Sequence, residues 1–197
     1  MQYLIIIKKQ CSALFPFLLA LLFSNHLYAS EKQQHSLVHI NADITVDGVL
    51  DEPHWQNATL VPIAFQDEPN EKGAPPVKTD AYMYEDGSNL YVAFVAEDPQ
   101  PSEITASLRD RDTLWQDDTV ILIIDTFNDE RSAYEFYVNP LGAQGDTRMS
   151  DTDGWQSDPS WDAIWDSAGQ ITDQGFVVEM RIPFKALRFP ENKTDLT

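Results

Sequence analysis

This 197-residue sequence has one cysteine and few basic residues. The single cysteine, Cys11, has no intramolecular partner, so a small fold held together by disulfides is excluded. Only 13 lysines and arginines stand against 32 aspartates and glutamates, which gives a formal net charge of −19. A chain this acidic repels phosphate groups, which excludes nucleic acid and anionic membrane surfaces as partners. Neutral ligands, cationic ligands and divalent metal ions remain compatible with it.

Motifs of the common catalytic sites are also missing. The sequence has no Gly-x-Ser-x-Gly turn for a serine nucleophile and no glycine-rich phosphate loop. Glycoside hydrolysis needs two carboxylates at a set separation, with the pKa of one raised by burial. Acidic residues are abundant here, but nothing in the sequence marks such a pair. We therefore predict that this chain has no catalytic activity of its own.

Residues 1–29 have the pattern of a signal peptide. Two lysines precede an apolar run, 13–23, and Ala29 provides a small residue at the expected cleavage point. The run is too short to span a bilayer comfortably, so an uncleaved membrane anchor is the weaker alternative. We predict that one domain, residues 30–197, is exported to the periplasm, to the outer membrane or into the medium.

From residue 36 onward, short β-type runs alternate with turn residues, and no window keeps a helical period. The clearest pair, 79–84 and 89–96, flanks a four-residue turn and is predicted to form a hairpin. The runs 90–96 and 120–124 are apolar at nearly every position, which predicts central strands covered on both faces. Sheets covered on both faces imply a sandwich, so the predicted fold is an all-β antiparallel sandwich.

Other segments indicate which strands have an exposed face. Residues 134–139 and 176–182 alternate apolar and polar side chains, so one face of each strand is predicted to contact water.

In the segment 44–55, ITVDGVLDEPHW, two short apolar runs flank an Asp-Gly pair. This pattern predicts two neighbouring strands joined by a turn. Trp55 and Trp165 are assigned to the core.

Six motifs follow one another along the chain: VDGVLDEPHW, SNLYVAFVAEDP, LWQDDTVILIIDT, AYEFYVNPLG, WDAIW and GFVVEMRIPFKALRF. Together, over residues 44–189, they resemble carbohydrate-binding module family 9, in the form found at the N-terminus of exported bacterial proteins. The resemblance implies a jelly-roll-like antiparallel β-sandwich that binds an oligo- or polysaccharide and holds structural calcium. The family pattern continues past these motifs whereas this sequence ends at Thr197, which leaves open a sandwich without its last strands.

The resemblance also implies a sugar site. An exposed aromatic ring stacks on the apolar face of a pyranose, while amides and carboxylates bind its hydroxyls. The family pattern Trp-x-x-Asp-x-Val begins at Trp115, which takes the stacking position, and Asn139 falls on a hydrogen-bonding asparagine of the family. Ile121 and Tyr137 stand where sugar-binding members carry glutamate and arginine. The full predicted set of sugar-contacting residues is Trp115, Asn139, Trp161, Tyr137 and Gln144.

Four aspartates surround the loop that enters the strand 120–124. Carboxylate oxygens at this density suit Ca²⁺, although the spacing is not that of an EF-hand loop. In so acidic a protein, carboxylates also cluster through composition alone, so a metal site and a plain acidic loop remain alternatives. Arg109 and Arg111 lie in the same loop and are predicted to pair with carboxylates. The predicted calcium ligands are Asp110, Asp112, Asp117 and Asp118.

Two functions follow as hypotheses. The first is an exported, non-catalytic carbohydrate-binding domain that stacks a sugar on Trp115 and orients its hydroxyls with Asn139. The second is an N-terminal accessory domain of a larger outer-membrane protein or of a glycoside hydrolase, in which the sandwich makes protein contacts and sugar binding is weak or lost. The missing glutamate and arginine favour the second hypothesis.

Overall fold

Ten β-strands form two sheets in the computed structural model, which describes residues 34–66, 72–153 and 156–190. The helical turns in these ranges are short 3-10 turns, so the predicted all-β class is confirmed. In chain order the strands are β1 (Val38–His39), β2 (Thr59–Pro62), β3 (Lys78–Glu85), β4 (Asn89–Glu97), β5 (Val120–Ile124), β6 (Ser132–Val138), β7 (Gln144–Ser150), β8 (Gln156–Asp158), β9 (Asp166–Thr172) and β10 (Gly175–Pro183). The 3-10 turns are Pro53–Asn57, Pro101–Glu103, Asp151–Asp153 and Phe184–Ala186.

The larger sheet has the strand order β1-β3-β4-β10-β9, and β2 also pairs with β3. Its pairings are antiparallel except for that of β1 with β3. The predicted hairpin is confirmed as β3 and β4, in which Glu85 pairs with Leu90 across the turn. Strand β4 lies in the middle of this sheet and is buried along most of its length, as its apolar run predicts.

The smaller sheet has the strand order β5-β6-β7-β8 and is antiparallel throughout. Within the described residues β5 is an edge strand, so the prediction of a central position for 120–124 is wrong. Val120, Leu122 and Ile124 are buried, whereas Ile121 and Ile123 are 45% and 38% exposed. Five consecutive aliphatic residues establish a strand, but they do not establish that both of its faces are covered.

The main core lies between the two sheets, where apolar side chains from every second position interdigitate. Val92, Phe94, Val178 and Met180 of the larger sheet meet the inward side chains of β5 and β6 in one buried cluster. Trp165 joins this cluster, as predicted. The side chains that point away from the core are therefore the ones available for other contacts.

A second, smaller core lies on the far face of the larger sheet. Trp55 packs edge-on against Tyr84, with ring centroids 5.2 Å apart, and Tyr84 stacks on Tyr91 at 4.6 Å. The segment 44–55, here named the N-terminal cover, supplies Trp55 and Ile44 to this cluster, so the assignment of Trp55 to a core is confirmed. The cover is irregular chain ending in a 3-10 turn, so the prediction of two strands there is wrong.

One buried carboxylate holds the N-terminal cover in place. Glu179, on β10, accepts hydrogen bonds from the backbone N–H groups of Asp47 and Gly48 at 3.0 and 2.8 Å and from Trp55 Nε1 at 3.2 Å. Gly48 has a φ of 86°, and a Cβ there would lie 2.9 Å from the backbone of Gly169, so the turn tolerates only glycine. Glu179 therefore supplies the hydrogen-bond acceptors that a neighbouring strand would otherwise provide to the backbone of this turn.

Because the cover lies on β10, the prediction of a wet face for 176–182 is wrong at Glu179, whereas Val177 and Arg181 on the same face are partly exposed. Glu179 is fully buried. The same prediction for β6 fails at its central polar residue, Glu135, which is also buried. Period-two alternation identifies the two faces of a strand, but the neighbouring chain decides which faces meet water.

The predicted signal peptide, residues 1–29, lies outside the described residues. Among the helical segments that the structure describes, none has the length and apolar character needed to cross a membrane.

Candidate carbohydrate-binding site

Trp115 projects from the loop before β5 and is 64% exposed. Its indole meets the ring of Tyr137 edge-on, with centroids 5.5 Å apart and an interplanar angle of 70°. This contact fixes one edge of the indole and leaves most of its surface in contact with solvent. A tryptophan held in this way can stack on a flat ligand at little cost in side-chain entropy.

Tyr137 belongs to the side of the smaller sheet that points away from the core. Strand register places Ile121 opposite Tyr137, and Ile123 opposite Glu135, which in turn faces Thr147. We name this surface the outer face; it comprises Ile121, Ile123, Glu135, Tyr137 and Thr147, with Trp115 at one end. Its two isoleucines and Trp115 are exposed, whereas Glu135 and Thr147 are buried.

Glu135 is buried at the centre of the outer face. Its Oε2 atom accepts hydrogen bonds from the hydroxyls of Tyr137 and Thr147, both at 2.6 Å, and a longer one from Ser157 at 3.4 Å. Among the described residues, the hydrogen bonds that Glu135 accepts all end on Oε2. Burial, together with the hydrogen bond to Glu135 and its charge, raises the pKa of Tyr137, so the tyrosine hydroxyl stays protonated and donates.

Asn139 follows β6 and is fully buried. Its Nδ2 donates to the carbonyl of Ser107 and to Asp117 Oδ2, both at 2.8 Å. Its Oδ1 accepts from the backbone N–H groups of Leu141 and Ala143 at 3.0 and 2.9 Å. The predicted contact with sugar hydroxyls is therefore not available to this side chain, because both amide hydrogens and the carbonyl oxygen are engaged within the protein.

Asp117 connects Asn139 to the loop that carries Trp115. It lies two residues after the tryptophan and is bonded by Arg109 Nε at 3.0 Å and by the N–H of Ser107 at 3.2 Å. Burial alone would raise the pKa of Asp117, but the hydrogen bonds from Asn139, Ser107 and Arg109 outweigh it and lower the pKa. The carboxylate therefore stays ionised and anchors the tryptophan loop.

Two other predicted sugar-binding residues lie away from the outer face. Trp161 packs against Tyr134 and Phe136 on the core side of β6, at centroid distances of 4.9 and 5.9 Å. Gln144 accepts a hydrogen bond from Arg111 at 2.9 Å and donates to the carbonyl of Trp165 at 3.1 Å. Gln144 also lines a shallow cleft beside β9, with Asp166 and Arg181 among its other walls. Of the five predicted residues, the structure brings only Trp115 and Tyr137 together.

The four predicted calcium ligands are also dispersed. Asp117 is bonded to Arg109 and Asn139, and Asp118 Oδ2 accepts from the N–H of Thr105 at 2.8 Å. Asp112 instead lies with Asp146 and Asp162, residues from two other segments. Asp110 is exposed and belongs to neither group. The four side chains do not fit one calcium ion in this arrangement, because only Asp112 lies in a group of three acidic side chains within the described residues.

The two arginines of the loop pair with carboxylates, as predicted. Arg109 binds Asp117, and Arg111 Nη2 lies 2.6 Å from Asp146 Oδ2. Two acidic residues of importance were missed by sequence reasoning, Glu135 and Asp146. Glu135 shares the odd-numbered side of β6 with Tyr137, a signal that alternation alone offered. No local signal marks Asp146, since its partners come from distant segments.

An antiparallel two-sheet sandwich with an exposed tryptophan beside one sheet has the architecture of a carbohydrate-binding module. The family model described as carbohydrate family 9 binding domain-like matches residues 46–196. The chain therefore belongs to this family, and the predicted family and sandwich fold are confirmed. A search of curated proteins finds no match to the sequence.

Two solved structures share the fold. One is a family 9 carbohydrate-binding module from Caldicellulosiruptor kristjanssonii in complex with glucose, with a TM-score of 0.51 and 18% identity. The other is a family 9 module from the same organism in complex with cellotriose, with a TM-score of 0.50 and 19% identity. Each alignment covers 80% of this chain and 71% of the other. At this identity the likeness establishes the fold.

Proposed function

We propose that this protein is an exported, non-catalytic carbohydrate-binding domain that stacks a sugar ring on Trp115. The observation that carries the proposal is an indole that is 64% exposed and braced by Tyr137, at the end of the outer face where Ile121 is also exposed. A pyranose offers an apolar C–H face to such a ring, and the area buried drives association. The glucose and cellotriose complexes of family 9 structures support this ligand class.

In this proposal Glu135 provides the polar contact to sugar that the family's glutamate and arginine, replaced here by Ile121 and Tyr137, do not provide. Its Oε1 atom accepts a hydroxyl of the sugar, while Tyr137 and Thr147 donate to Oε2. A hydrogen bond to a carboxylate is stronger than one to a neutral acceptor, so a single such group contributes substantially to affinity. Asn139 acts one step further away, by bonding Asp117 and so orienting the tryptophan loop.

Export is the second part of the proposal. It rests on the signal-peptide pattern of residues 1–29. N-terminal sequencing of the protein recovered from a periplasmic fraction would test it. A chain starting near Ser30 is expected, and a chain retaining Met1 in that fraction would contradict the cleavage.

Isothermal titration with cello- and xylo-oligosaccharides tests the sugar site. The wild-type protein is expected to bind at least one series, and Trp115→Ala is expected to remove the heat of binding without changing the thermal midpoint. Glu135→Gln should weaken binding by roughly tenfold, since about 1–2 kcal/mol is lost with the charge. Phe65→Ala is the matched control, because Phe65 is an equally exposed aromatic residue at another place on the surface.

Two outcomes would contradict the proposal. The first is that the folded wild-type protein binds no sugar. The second is that Trp115→Ala and Phe65→Ala affect binding equally, which would place the sugar away from Trp115.

A second candidate function is supported by the exposed Ile121 and Ile123. Two isoleucines on one open sheet face suit a protein contact better than a hydroxyl-rich ligand. In this case the domain serves as an accessory domain of a larger outer-membrane protein or of a glycoside hydrolase. Ile121→Thr combined with Ile123→Thr separates the two functions, because sugar stacking on Trp115 should survive these substitutions and an apolar protein contact should not.

A further inference from the structure

An aliphatic surface continues from Trp115 along the outer face. Strand register places Ile121 directly opposite Tyr137, whose ring contacts the indole with centroids 5.5 Å apart. Residues paired in this way have Cβ atoms about 4.5–5.5 Å apart, so Ile121 lies next to the tyrosine that braces Trp115. Ile123 follows on the same side of β5, roughly 6.7 Å further along the strand. A ligand that stacks on Trp115 and extends along β5 therefore meets Ile121 first and Ile123 next.

The polar groups of the outer face lie beneath this surface and bond to one another. Glu135 and Thr147 are buried, whereas Ile121 and Ile123 are exposed. The hydroxyls of Tyr137 and Thr147 both donate to Glu135 Oε2 at 2.6 Å. Beyond Trp115, the part of the outer face that a ligand covers is consequently aliphatic.

This aliphatic surface is a poor match for an unsubstituted sugar. A hydroxyl laid against an isoleucine side chain loses its water partner and gains no hydrogen bond, which is unfavourable. Acetylation removes that hydroxyl donor and places a methyl group two bonds beyond the oxygen. The methyl group gains free energy when it is buried against an aliphatic side chain, and the acetyl carbonyl keeps its water contacts at the solvent side of an open face.

We propose that the outer face binds saccharides that carry acetyl groups, with the sugar ring stacked on Trp115 and the acetyl methyl packed against Ile121. This inference rests on the proposed sugar site and names the substituent that the site prefers. Ile123 extends the same surface to a substituent on the next sugar unit. One buried methyl group favours the acetylated ligand by about fourfold or more.

Isothermal titration with one oligosaccharide in two forms tests the preference. The probe is the cello- or xylo-oligosaccharide that the protein binds, first O-acetylated and then freed of acetyl groups by alkali. The wild-type protein is expected to bind the acetylated form about fourfold or more tightly than the deacetylated form. Trp115→Ala should remove the binding of both forms, since each depends on the stacked ring.

Ile121→Thr is the informative variant, because threonine keeps the β-branched shape that suits a strand and replaces a methyl group with a hydroxyl. It is expected to bring the affinity ratio of the two forms close to one and to leave the affinity for the deacetylated form unchanged. Ile121→Val keeps the aliphatic surface and should retain the preference. Ile171→Thr is the matched control, because Ile171 is a similarly exposed isoleucine on β9 of the other sheet.

N-acetylated chito-oligosaccharides distinguish an acetyl amide from an acetyl ester. Binding that Ile121→Thr weakens would assign the acetyl group itself, whereas a preference confined to O-acetylated ligands would assign the ester. Equal affinity of the wild-type protein for the acetylated and deacetylated forms would overturn the inference and leave the sugar site on Trp115 in place. Equal loss of the preference in Ile121→Thr and Ile171→Thr would overturn it as well. Binding of neither form would contradict the proposed function, and this inference with it.

Discussion

Trp115 and Asn139, both predicted to contact sugar, differ in exposure and in hydrogen bonding. Trp115 presents its ring to solvent, whereas Asn139 is buried beneath the loop and bonds four groups. Trp115 lies in the motif LWQDDTVILIIDT and Asn139 in AYEFYVNPLG, so a motif match alone does not distinguish a candidate ligand contact from a supporting residue. Burial and hydrogen-bond saturation make that distinction here.

The buried amide can be tested by replacing only its nitrogen. Asn139→Asp keeps the shape but removes both N–H donors and places a second carboxylate against Asp117. We expect the free energy of unfolding to fall by about 3 kcal/mol or more, because an uncompensated charge is left in a buried position. Urea denaturation measures the change. The control is Asn57→Asp at an exposed position, which should stay within about 0.5 kcal/mol of the wild type; equal effects would show that Asn139 is not specifically required.

Strand β10 illustrates how an element acquires a second layer. Its inward residues build the main core, and its outward Glu179 binds the Asp-Gly turn of the N-terminal cover. Three backbones then meet at Gly169 on β9, where a Cβ would lie 2.7 Å from the carbonyl oxygen of Pro140. The N-terminal cover can therefore lie close against the larger sheet. Gly169 leaves room for the neighbouring backbones, and Glu179 accepts the N–H groups of the turn.

Glu179 gives this layer a pH dependence. Burial, with the nearby charges of Glu52 and Asp47, raises the pKa of Glu179 against the opposing effect of the two backbone N–H donors. Above the ordinary glutamate pKa of 4.5 and up to its own raised pKa, the folded state binds more protons than the unfolded state. The contribution of Glu179 to the free energy of unfolding therefore falls as pH rises through this window.

Glu179→Gln separates this contribution from those of the other acids. The amide nitrogen of glutamine cannot accept the hydrogen bond that Trp55 Nε1 donates to Glu179. We therefore expect the free energy of unfolding to fall by about 1–3 kcal/mol. The difference in unfolding free energy between wild type and variant should be largest below pH 4.5 and should shrink as the pH rises above it. Unfolding in urea at several pH values measures it, with Glu103→Gln on the exposed surface as control. A difference that grows with pH would show that the pKa of Glu179 is lowered.

The whole molecule carries a strong excess of negative charge. A formal net charge of −19 produces self-repulsion, which is relieved when the chain unfolds and expands. Ion pairs such as those of Arg109 and Arg111 reduce the repulsion in their own surroundings and leave it unchanged elsewhere on the surface. The balance of the two effects decides how salt acts on stability.

We expect added sodium chloride to stabilise the protein. At 0.1 M the screening length is about 10 Å, so repulsion between distant surface charges weakens more than attraction within buried pairs. A gain of about 1 kcal/mol between 0.02 and 0.5 M would raise the thermal midpoint by about 2–4 °C. Calorimetry with a chelator present keeps any calcium effect out of the comparison. A midpoint that falls with salt would mean that ion pairs outweigh the repulsion.

Local patterns carried much of the architecture. The strand content, the β3–β4 hairpin, the core positions of Trp55 and Trp165 and the pairing of both loop arginines all follow from neighbours in the chain or from residue type. The errors share one origin. The edge position of β5, the cover on β10 and the burial of Glu135 depend on what packs against a strand, and alternation does not contain that information.

Hydrophobic period, turn residues and charge composition were enough to predict an acidic all-β sandwich, because strand formation and pleat are local properties, and the resemblance of six ordered motifs indicated family 9. Packing of the two sheets decided which side chains meet solvent and which meet one another. Asp112, Asp146 and Asp162 are brought together across three segments, and Asn139 is enclosed beneath the loop of Trp115. Such contacts arise only when distant strands and loops adopt a single register, so they belong to the folded molecule and not to any stretch of its sequence.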